Sequence, residues 1–394
     1  MPRVLIIQAE VKHYRVPFFT GLHAALQQDG IELKVAYSNA NPQQPTRKGL
    51  VDLPSSVGLN VKGHWFFGRF LYQHLWKEIL SADLVITGSE VKFLVNPLLL
   101  LMSALKLKRV AFWGLGPNKH PTRSEFAERI KKPFFTCVDW WFAYTESIAE
   151  YLRGEGMPAQ HITVVQNATD SGELSRLIDD ISEDEVRDAK VALTGSLGNK
   201  IGFYCGMLAE IKSIPMLIET ARLVKQKCPE FHLVIIGNGP DRPWLENAIA
   251  DEPWIHYLGG KFGRESALYY KMADVFMLAG TAGLAVVDSF AAGLPLLVTD
   301  LPTHPPEIDY VVDGRNGHIA PHEREAFATA ILETMFDPAT MERLRRGAKE
   351  SSKQYTMEAM IENYGTGIKR CLAFYKRSPV MDTAKLAAPE TESR

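Results

Sequence analysis

The sequence predicts an α/β protein in which two doubly wound domains follow one another along the chain. Apolar strand segments alternate with helical segments in two series, one on each side of a charged stretch near residues 170–200. The strand segments are almost continuously apolar, which is typical of parallel sheets that helices cover on both faces. We therefore predict two Rossmann-like domains that face each other across a cleft.

The first predicted domain comprises residues 1–172, and it lacks the G-x-G-x-x-G fingerprint of dinucleotide binding. Its predicted strands are Val4–Gln8, Leu33–Tyr37, Leu84–Thr87, Val110–Trp113, Trp141–Tyr144 and Ile162–Gln166. The second predicted domain comprises residues 173–356. Its predicted strands are Ile201–Cys205, His232–Ile236, Ile255–Leu258, Val275–Leu278 and an apolar strand that ends at Val298.

Residues 357–377 have apolar side chains at four-residue steps and predict a long amphipathic helix. Because its apolar stripe is long, we expect this helix to cross back onto the first domain. Residues 379–394 are small and polar and are expected to form a disordered tail.

Composition limits the classes of function. The 394 residues carry a net charge of −2, which gives no bulk basic character for a nucleic-acid partner. Four widely spaced cysteines indicate free thiols and favour a cytoplasmic location. The longest apolar stretch, Phe93–Leu105, is well short of the about 20 residues that a membrane span needs. With no D-x-D motif, we predict no metal site and no cofactor.

The stretch Val275–Val298 gives the clearest indication of a ligand-binding site. A buried strand is followed by a turn with Gly280, Thr281 and Gly283, a short helix over 284–292, and a second strand. Free amides at a helix start favour an anion such as phosphate, and Asp288 can accept hydrogen bonds from sugar hydroxyls. Phosphate and sugar together indicate a nucleotide. The alternative is an ordinary tight turn followed by a solvated helix residue.

Other polar loops are expected at the carboxyl ends of strands, where open α/β sheets bind ligands. In the second domain, Lys212 follows one strand and the Gly237–Gly239 loop follows the next. In the first domain, two loops offer cleft residues for an acceptor; they are His13, Arg15, Lys119 and His120. Solvated surface loops are the alternative interpretation.

Two segments combine aromatic and basic residues, His64–Leu75 and Arg129–Trp141. Such a surface can lie at a lipid headgroup boundary, so we predict peripheral attachment to the inner face of the membrane. The alternative is that these aromatic residues belong to the core.

The order of motifs resembles a divergent branch of family 4, group 1 type, of the retaining glycosyltransferases, which have the GT-B fold. The matching segments are YRVPFF at 14–19, residues 145–170 ending in VVQNATD, residues 206–212, the GNGP loop, residues 275–298 and HPPEIDYVVDGRNG at 304–317. The resemblance implies that Lys212 binds the donor diphosphate, that Asp288 holds the ribose, and that the base lies near Phe262. The implied donor-binding set is Lys212, Gly239, Phe262, Gly280, Thr281, Gly283, Leu284 and Asp288.

Three positions depart from the family pattern. Gly280 stands where members commonly carry a glutamate, Met207 where many carry an arginine, and Leu115 where a histidine faces the sugar. Glycine and aspartate are the usual pair in the divergent branch that the sequence resembles. No pair of carboxylates suited to a double displacement can be identified, so no catalytic residue is named.

The resemblance implies transfer of a sugar, with retention of configuration, from a nucleotide diphosphate sugar to a glycan or lipid-linked acceptor. Surface polysaccharide or glycolipid synthesis is the expected setting. The alternatives are another GT-B enzyme, such as a nucleotide-sugar epimerase or hydrolase, and a non-catalytic protein that binds sugar nucleotides.

Overall fold

Two parallel sheets form the framework of the protein. The computed structural model describes residues 1–38, 51–116 and 136–374. The first sheet takes its strands from residues 3–164 and the second from residues 200–320. The predicted α/β class and the two Rossmann-like sheets are confirmed.

The first sheet has seven parallel strands in the order β3-β2-β1-β6-β7-β8-β9. Its strands are β1 Arg3–Ile7, β2 Glu32–Tyr37, β3 Gly58–Asn60, β6 Leu84–Gly88, β7 Arg109–Gly114, β8 Trp140–Ala143 and β9 Ile162–Val164. The predicted strands agree with these bounds to within two residues.

The second sheet has six parallel strands in the order β12-β11-β10-β13-β14-β15. Its strands are β10 Lys200–Cys205, β11 Phe231–Ile236, β12 Ile255–Tyr257, β13 Val275–Leu278, β14 Leu296–Thr299 and β15 Gly317–Ala320. Every residue of β13 and β14 is buried, as expected for central strands with helices on both faces.

Helices connect the strands and cover both sheets. The described α-helices are α1 Val16–Gln28, α2 Trp76–Ser81, α3 Asn96–Ala104, α4 Glu146–Gly154, α5 Ser171–Asp179, α6 Glu183–Thr194, α7 Ile214–Lys227, α8 Arg242–Ala248, α9 Gly263–Met272, α10 Ala285–Ala291, α11 Arg324–Phe336, α12 Pro338–Ser352 and α13 Met357–Phe374. Among them, none has both the length and the apolar character that crossing a bilayer requires. The boundary at residues 172/173 falls within α5 and stays a prediction.

The stretch His64–Leu75 contains an antiparallel hairpin that the sequence analysis did not predict. Strands β4 Gly63–Phe66 and β5 Phe70–Gln73 pair across a turn in which Phe67 and Gly68 have φ values of 52° and 61°. Four-residue strands give too short an alternation for a clear sequence signal. Of the hairpin's aromatic residues, Trp65 is half-buried against the core of the first sheet, whereas Phe67 is 91% exposed, and peripheral attachment stays a prediction.

Each sheet has one place where the strand order changes direction. In the first sheet it lies between β1 and β6, and in the second between β10 and β13. The loops that follow two such strands diverge and leave a crevice, where open α/β sheets bind ligands. The two crevices are therefore the positions to search for a site.

Helix α13 returns from the second sheet to the first. Its buried side chains, among them Met360, Tyr364 and Ile368, belong to the same core as α1 and the first sheet. The Tyr364 ring stacks on that of Phe142 in β8, with a centroid distance of 4.4 Å. The predicted crossing is confirmed for Met357–Phe374, whereas positions 375–377 and the predicted tail 379–394 lie outside the described residues.

Two glycines of α13 test this packing. A Cβ atom at Gly365 would have Leu22 Cδ1 as its nearest neighbour at 3.9 Å, whereas one at Gly367 would lie 2.7 Å from Phe142 Cε1 and 2.8 Å from Thr163 Oγ1. Gly365→Ala should raise the free energy of unfolding by up to ~1 kcal/mol through helix propensity. Gly367→Ala should lower it by ~1–3 kcal/mol through overpacking. Urea unfolding of both variants measures this, and equal gains in stability would contradict the docking of α13.

Candidate functional site

Lys212 lies against the loop that follows β13. It ends a short 3-10 helix, Glu210–Lys212, and its amine donates a hydrogen bond to the Thr281 carbonyl. In return, the Thr281 amide and hydroxyl both donate to the Ile211 carbonyl, at 2.9 and 3.0 Å. These bonds join the loops after β10 and β13, which are the two loops of the second sheet's crevice.

Gly280 lets these two loops approach each other. A Cβ atom at this position would lie 2.3 Å from the carbonyl carbon of Lys212 and 2.6 Å from the Ile211 oxygen. Both neighbours are backbone atoms that cannot rotate away. A larger side chain, including the glutamate of the family pattern, therefore does not fit while Lys212 keeps this position.

Lys212 carries a charge that is costly to keep in this place. Burial lowers the pKa of its amine to about 8, and the nearby Glu307 carboxylate acts in the opposite direction. The Glu307 side chain is 3% exposed, and burial raises its own pKa despite the hydrogen bond from Asn167. An anion bound beside Lys212 would restore the favourable environment that its ammonium group lacks.

The start of α10 offers backbone amides. Gly283 has φ +59°, and α10 begins two residues later at Ala285. The Ala282 amide is already used, because it donates to Nδ1 of His304 at 3.1 Å. Among the described residues, the amides of Gly283 and Leu284 have no hydrogen-bond partner, so both remain open to a ligand.

His304 is a neutral side chain in a defined tautomer. Its Nδ1 accepts from Ala282, so its Nε2 carries the hydrogen and donates to the Thr299 carbonyl at 2.6 Å. Burial lowers the pKa of the imidazole, in agreement with this neutral form. His304 thus fixes the loop ahead of α10 from the end of β14.

Asp288 lies one turn into α10 and faces the segment that joins the two sheets. The Thr169 hydroxyl donates to its Oδ1 at 2.9 Å. Burial raises the pKa of Asp288 to about 6, and the hydrogen bond from Thr169 partly opposes this. One carboxylate oxygen is therefore already engaged across the junction, and Oδ2 is left as the stronger candidate for a ligand hydroxyl.

Asn167 connects charged groups from both sheets. Its Oδ1 accepts from the Arg15 guanidinium at 2.5 Å, and its Nδ2 donates to Oε1 of Glu307. Its backbone amide donates to the Tyr310 hydroxyl at 2.7 Å. Among the described residues, Oε2 of Glu307 has no hydrogen-bond partner. This chain of contacts ties Arg15 at the first crevice to the 3-10 helix Pro306–Tyr310 at the second.

A cavity of about 690 Å³ occupies the crevice of the first sheet. Its walls come from the loops after β1, β6 and β7, from α4, and from residues 303–306 of the second sheet. Arg15 lies at its edge, with its guanidinium carbon 5.3 Å from the Trp113 ring centroid and 5.2 Å from that of Tyr14. The cavity does not include Lys212, but His304 lines it while bonding to Ala282, so the two crevices share a wall.

The remaining predicted residues lie in different places. Gly239 packs on the Leu208 backbone, and its amide donates a hydrogen bond to Asn238 Oδ1. Phe262 is 80% exposed after β12, about 10 Å from β10 by strand spacing. His13 is exposed and does not line the cavity. Lys119 and His120 lie outside the described residues.

Sequence reasoning did not assign roles to Asn167, Glu307, Tyr310 and His304. All four occur in the matched motifs VVQNATD and HPPEIDY. The sequence signal for these residues was the presence of polar side chains in two motifs with apolar neighbours. The contact between Asn167 and Glu307, however, joins positions that are 140 residues apart. No local pattern predicts a contact of that separation.

The close approach at Gly280 leads to a stability prediction. Gly280→Ala should lower the free energy of unfolding by ~1–3 kcal/mol, because the added methyl group meets fixed backbone of Lys212. Gly198→Ala is a matched control, since its Cβ would meet only Ser196 Oγ at 3.7 Å. Thermal or urea unfolding measures both, and a Gly280→Ala protein as stable as the control would show that the loops are not in contact.

The fold has known counterparts. The structure of Anabaena HepE in complex with UDP matches with a TM-score of 0.69 and 14% identity, covering 94% of this chain and 100% of that one. A glycosyltransferase from Rickettsia africae matches with a TM-score of 0.68 and 12% identity, covering 94% and 98% of the two chains. These likenesses show the GT-B fold.

Sequence comparison adds a relative that matches part of the chain. The alpha-monoglucosyldiacylglycerol synthase of Acholeplasma laidlawii is 32% identical over 173 residues, 42% of this chain and 42% of that protein. This chain therefore spans less than half the length of that curated relative. Residues 198–337, which hold Lys212, Gly280 and Asp288, match the family described as Glycosyl transferases group 1.

Proposed function

We propose that the protein is a retaining glycosyltransferase of family 4, which moves a sugar from a nucleotide diphosphate sugar to a glycan or lipid-linked acceptor. One observation carries the proposal: Lys212 and the open amides of Gly283 and Leu284 lie together at the crevice of the second sheet. A half-buried cation with adjacent amides is a site for a diphosphate. The match of residues 198–337 to group 1 glycosyl transferases supports this proposal.

Each group at the crevice has a part in the proposed reaction. The difficult step is departure of the diphosphate, and the Lys212 ammonium and the two amides stabilise the charge that develops on it. Asp288 accepts hydrogen bonds from the ribose, and the base lies towards the loop that ends at Phe262. We propose that these fixed groups act without a metal or cofactor, so a chelator should leave the transfer rate unchanged.

The acceptor is proposed to enter the cavity of the first sheet. Arg15 and its aromatic neighbours lie at the edge of this cavity, and residues 303–306 bring the second sheet to the same space. Donor and acceptor would then meet where His304 separates the two crevices. The setting proposed is glycolipid or surface polysaccharide synthesis at the cytoplasmic side of a membrane, supported by the likeness to a glucosyldiacylglycerol synthase.

A direct assay tests the function. Because the structural counterpart HepE holds UDP, uridine diphosphate sugars are the first donors to supply. The protein is incubated with each donor and a lipid-linked or glycan acceptor, and the anomeric configuration of the product is read by NMR. Transfer with the donor's configuration supports the proposal. An inverted product rejects retention.

The epimerase or hydrolase alternative is tested by the same mixture without acceptor. Such an enzyme needs acid and base groups in the cleft; of the described candidates Glu10 and His13, only Glu10 lines the cavity, and His120 lies outside the described residues. Release of free sugar or change of the donor sugar without acceptor would favour this alternative. Failure to bind any nucleotide sugar would favour neither enzyme.

The affinity for UDP-glucose should depend on pH in two limbs. Asp288 accepts best when ionised, and its pKa is about 6, so affinity should fall as the pH drops below about 6. Lys212 must be protonated, and its pKa is about 8, so affinity should fall as the pH rises above about 8. Calorimetric titration across both limbs measures this. Lys212→Arg should remove the alkaline limb because guanidinium stays charged, and pH-independent binding by the parent protein would contradict the assignment.

Asp288→Asn should weaken donor binding near pH 7. The amide keeps the shape but loses the charge and part of the accepting capacity, so the affinity for UDP-glucose should fall by ~1–3 kcal/mol. Glucose 1-phosphate has no ribose and should bind both proteins equally weakly. A folded Asp288→Asn protein with the parent's affinity for UDP-glucose would show that Asp288 does not hold the ribose.

A further inference from the structure

An apolar surface extends over one side of the first domain. It consists of outward side chains from the β4–β5 hairpin, α2, α3 and the residues beside them, and we call it the leucine face: Phe67, Leu80, Leu94, Leu98, Leu101 and Leu105. Phe67 is 91% exposed, Leu80 68% and Leu105 59%. Isolated exposed leucines are ordinary, but a connected group marks an interaction surface.

Hydrogen bonds connect the elements that carry the leucine face. The Leu71 amide of β5 donates to the Lys92 carbonyl at 2.7 Å, and the Leu94 amide donates back to the Leu71 carbonyl at 3.0 Å. Lys108, just after α3, donates to the Leu80 carbonyl at 3.0 Å. The inward side chains of these elements share one core against the first sheet. The surface is thus a fixed layer of the domain.

Helix α3 shows the separation of its two faces most clearly. Its residues Asn96, Leu99 and Ser103 are buried, whereas Leu98 and Leu101 are exposed. Leu98 and Leu101 lie three positions apart on one side of α3, and the exposed Leu94 and Leu105 flank the two ends of the helix. Helix α3 therefore packs one side on the core and exposes leucines on the other.

The charge around the leucine face is mainly positive. Residues 61–109 contain seven Lys or Arg and three Asp or Glu, a net charge of +4 in a chain whose net charge is −2. Lys92 pairs with Glu90 and Lys106 with Asp139, and the other cations of this segment are Lys62, Arg69, Lys77, Lys108 and Arg109. Apolar side chains with flanking cations complement a bilayer that contains anionic lipids.

We propose that the leucine face docks on the surface of an anionic lipid bilayer, with the leucines and Phe67 among the acyl chains and the cations at the headgroups. Part of the predicted attachment segment, His64–Leu75, belongs to this surface, whereas residues 129–135 lie outside the described residues. The exposed leucines of α3 add the larger apolar area. Membrane docking by this face does not depend on any transferase activity.

The position of the face relative to the cavity extends the proposed function. Lys92 and Phe93 line the cavity, and the chain continues directly into Leu94 and α3. A docked protein would hold the cavity mouth near the headgroups. The headgroup of a lipid-linked acceptor could then enter while its tail stays in the bilayer; this step rests on the proposed function.

The test measures binding of the full chain to vesicles without any sugar nucleotide, so it is independent of the transfer assay. Vesicles of phosphatidylcholine are compared with vesicles that also contain phosphatidylglycerol, by flotation. We expect binding to the anionic vesicles and a marked loss of binding in high salt. The double variant Leu98→Gln, Leu101→Gln should lower the partition coefficient at least about tenfold, since two leucines lose their place among the acyl chains.

Matched variants distinguish binding by the leucine face from nonspecific binding by other exposed apolar residues. Phe67→Asn removes the aromatic ring at a position whose φ of 52° asparagine tolerates, and it should also reduce binding. Leu197→Gln and Phe336→Asn change exposed apolar residues of the second sheet's side, which are 49% and 54% exposed, and should bind as the parent does.

Two results would overturn the proposal. If the parent protein does not float with anionic vesicles, the leucine face does not dock on lipid. If the parent forms dimers that Leu98→Gln, Leu101→Gln abolishes, and neither protein floats, the face is a contact between two copies of the chain.

Discussion

The amide side chain of Asn167 holds together two charges that come from different sheets. It accepts from the Arg15 guanidinium and donates to the Glu307 carboxylate, which only a side chain with both an acceptor and a donor can do. Burying Glu307 without such partners would cost several kcal/mol. The bridge therefore fixes the junction of the sheets at the depth where both crevices open.

The relation of the two crevices follows from this junction. The Asn167 amide donates a hydrogen bond to the Tyr310 hydroxyl. Two residues later, the Thr169 hydroxyl donates a hydrogen bond to the Asp288 carboxylate. The segment that leaves the first sheet is thus anchored at two points of the second. His304 then separates the cavity from the start of α10. A movement of this segment relative to α10 would change the hydrogen bond between Thr169 and Asp288.

The sequence was informative where structure depends on neighbours along the chain. Continuous apolar runs placed the strands, and strand ends placed Lys212, Gly280 and Asp288 at one edge of the second sheet. It was uninformative where contacts join distant segments, as with Asn167 and Glu307. It also missed the β4–β5 hairpin, whose strands are too short for a pattern. Phe262 was placed correctly after a strand, but the sheet order puts that strand at the outer edge, which only pairing reveals.

Gly280 illustrates how a departure from a family pattern can be a structural requirement. The Lys212 backbone occupies the volume that a side chain at 280 would need, and the Lys212 amine then reaches the Thr281 carbonyl. A carbonyl oxygen is a weak partner for an ammonium group, and burial lowers the pKa of Lys212 to about 8. A bound diphosphate would supply the stronger partner. Gly280 thus lets the Lys212 ammonium group lie where its interactions become stronger when an anion binds. That gain in interaction free energy adds to the affinity for the anion.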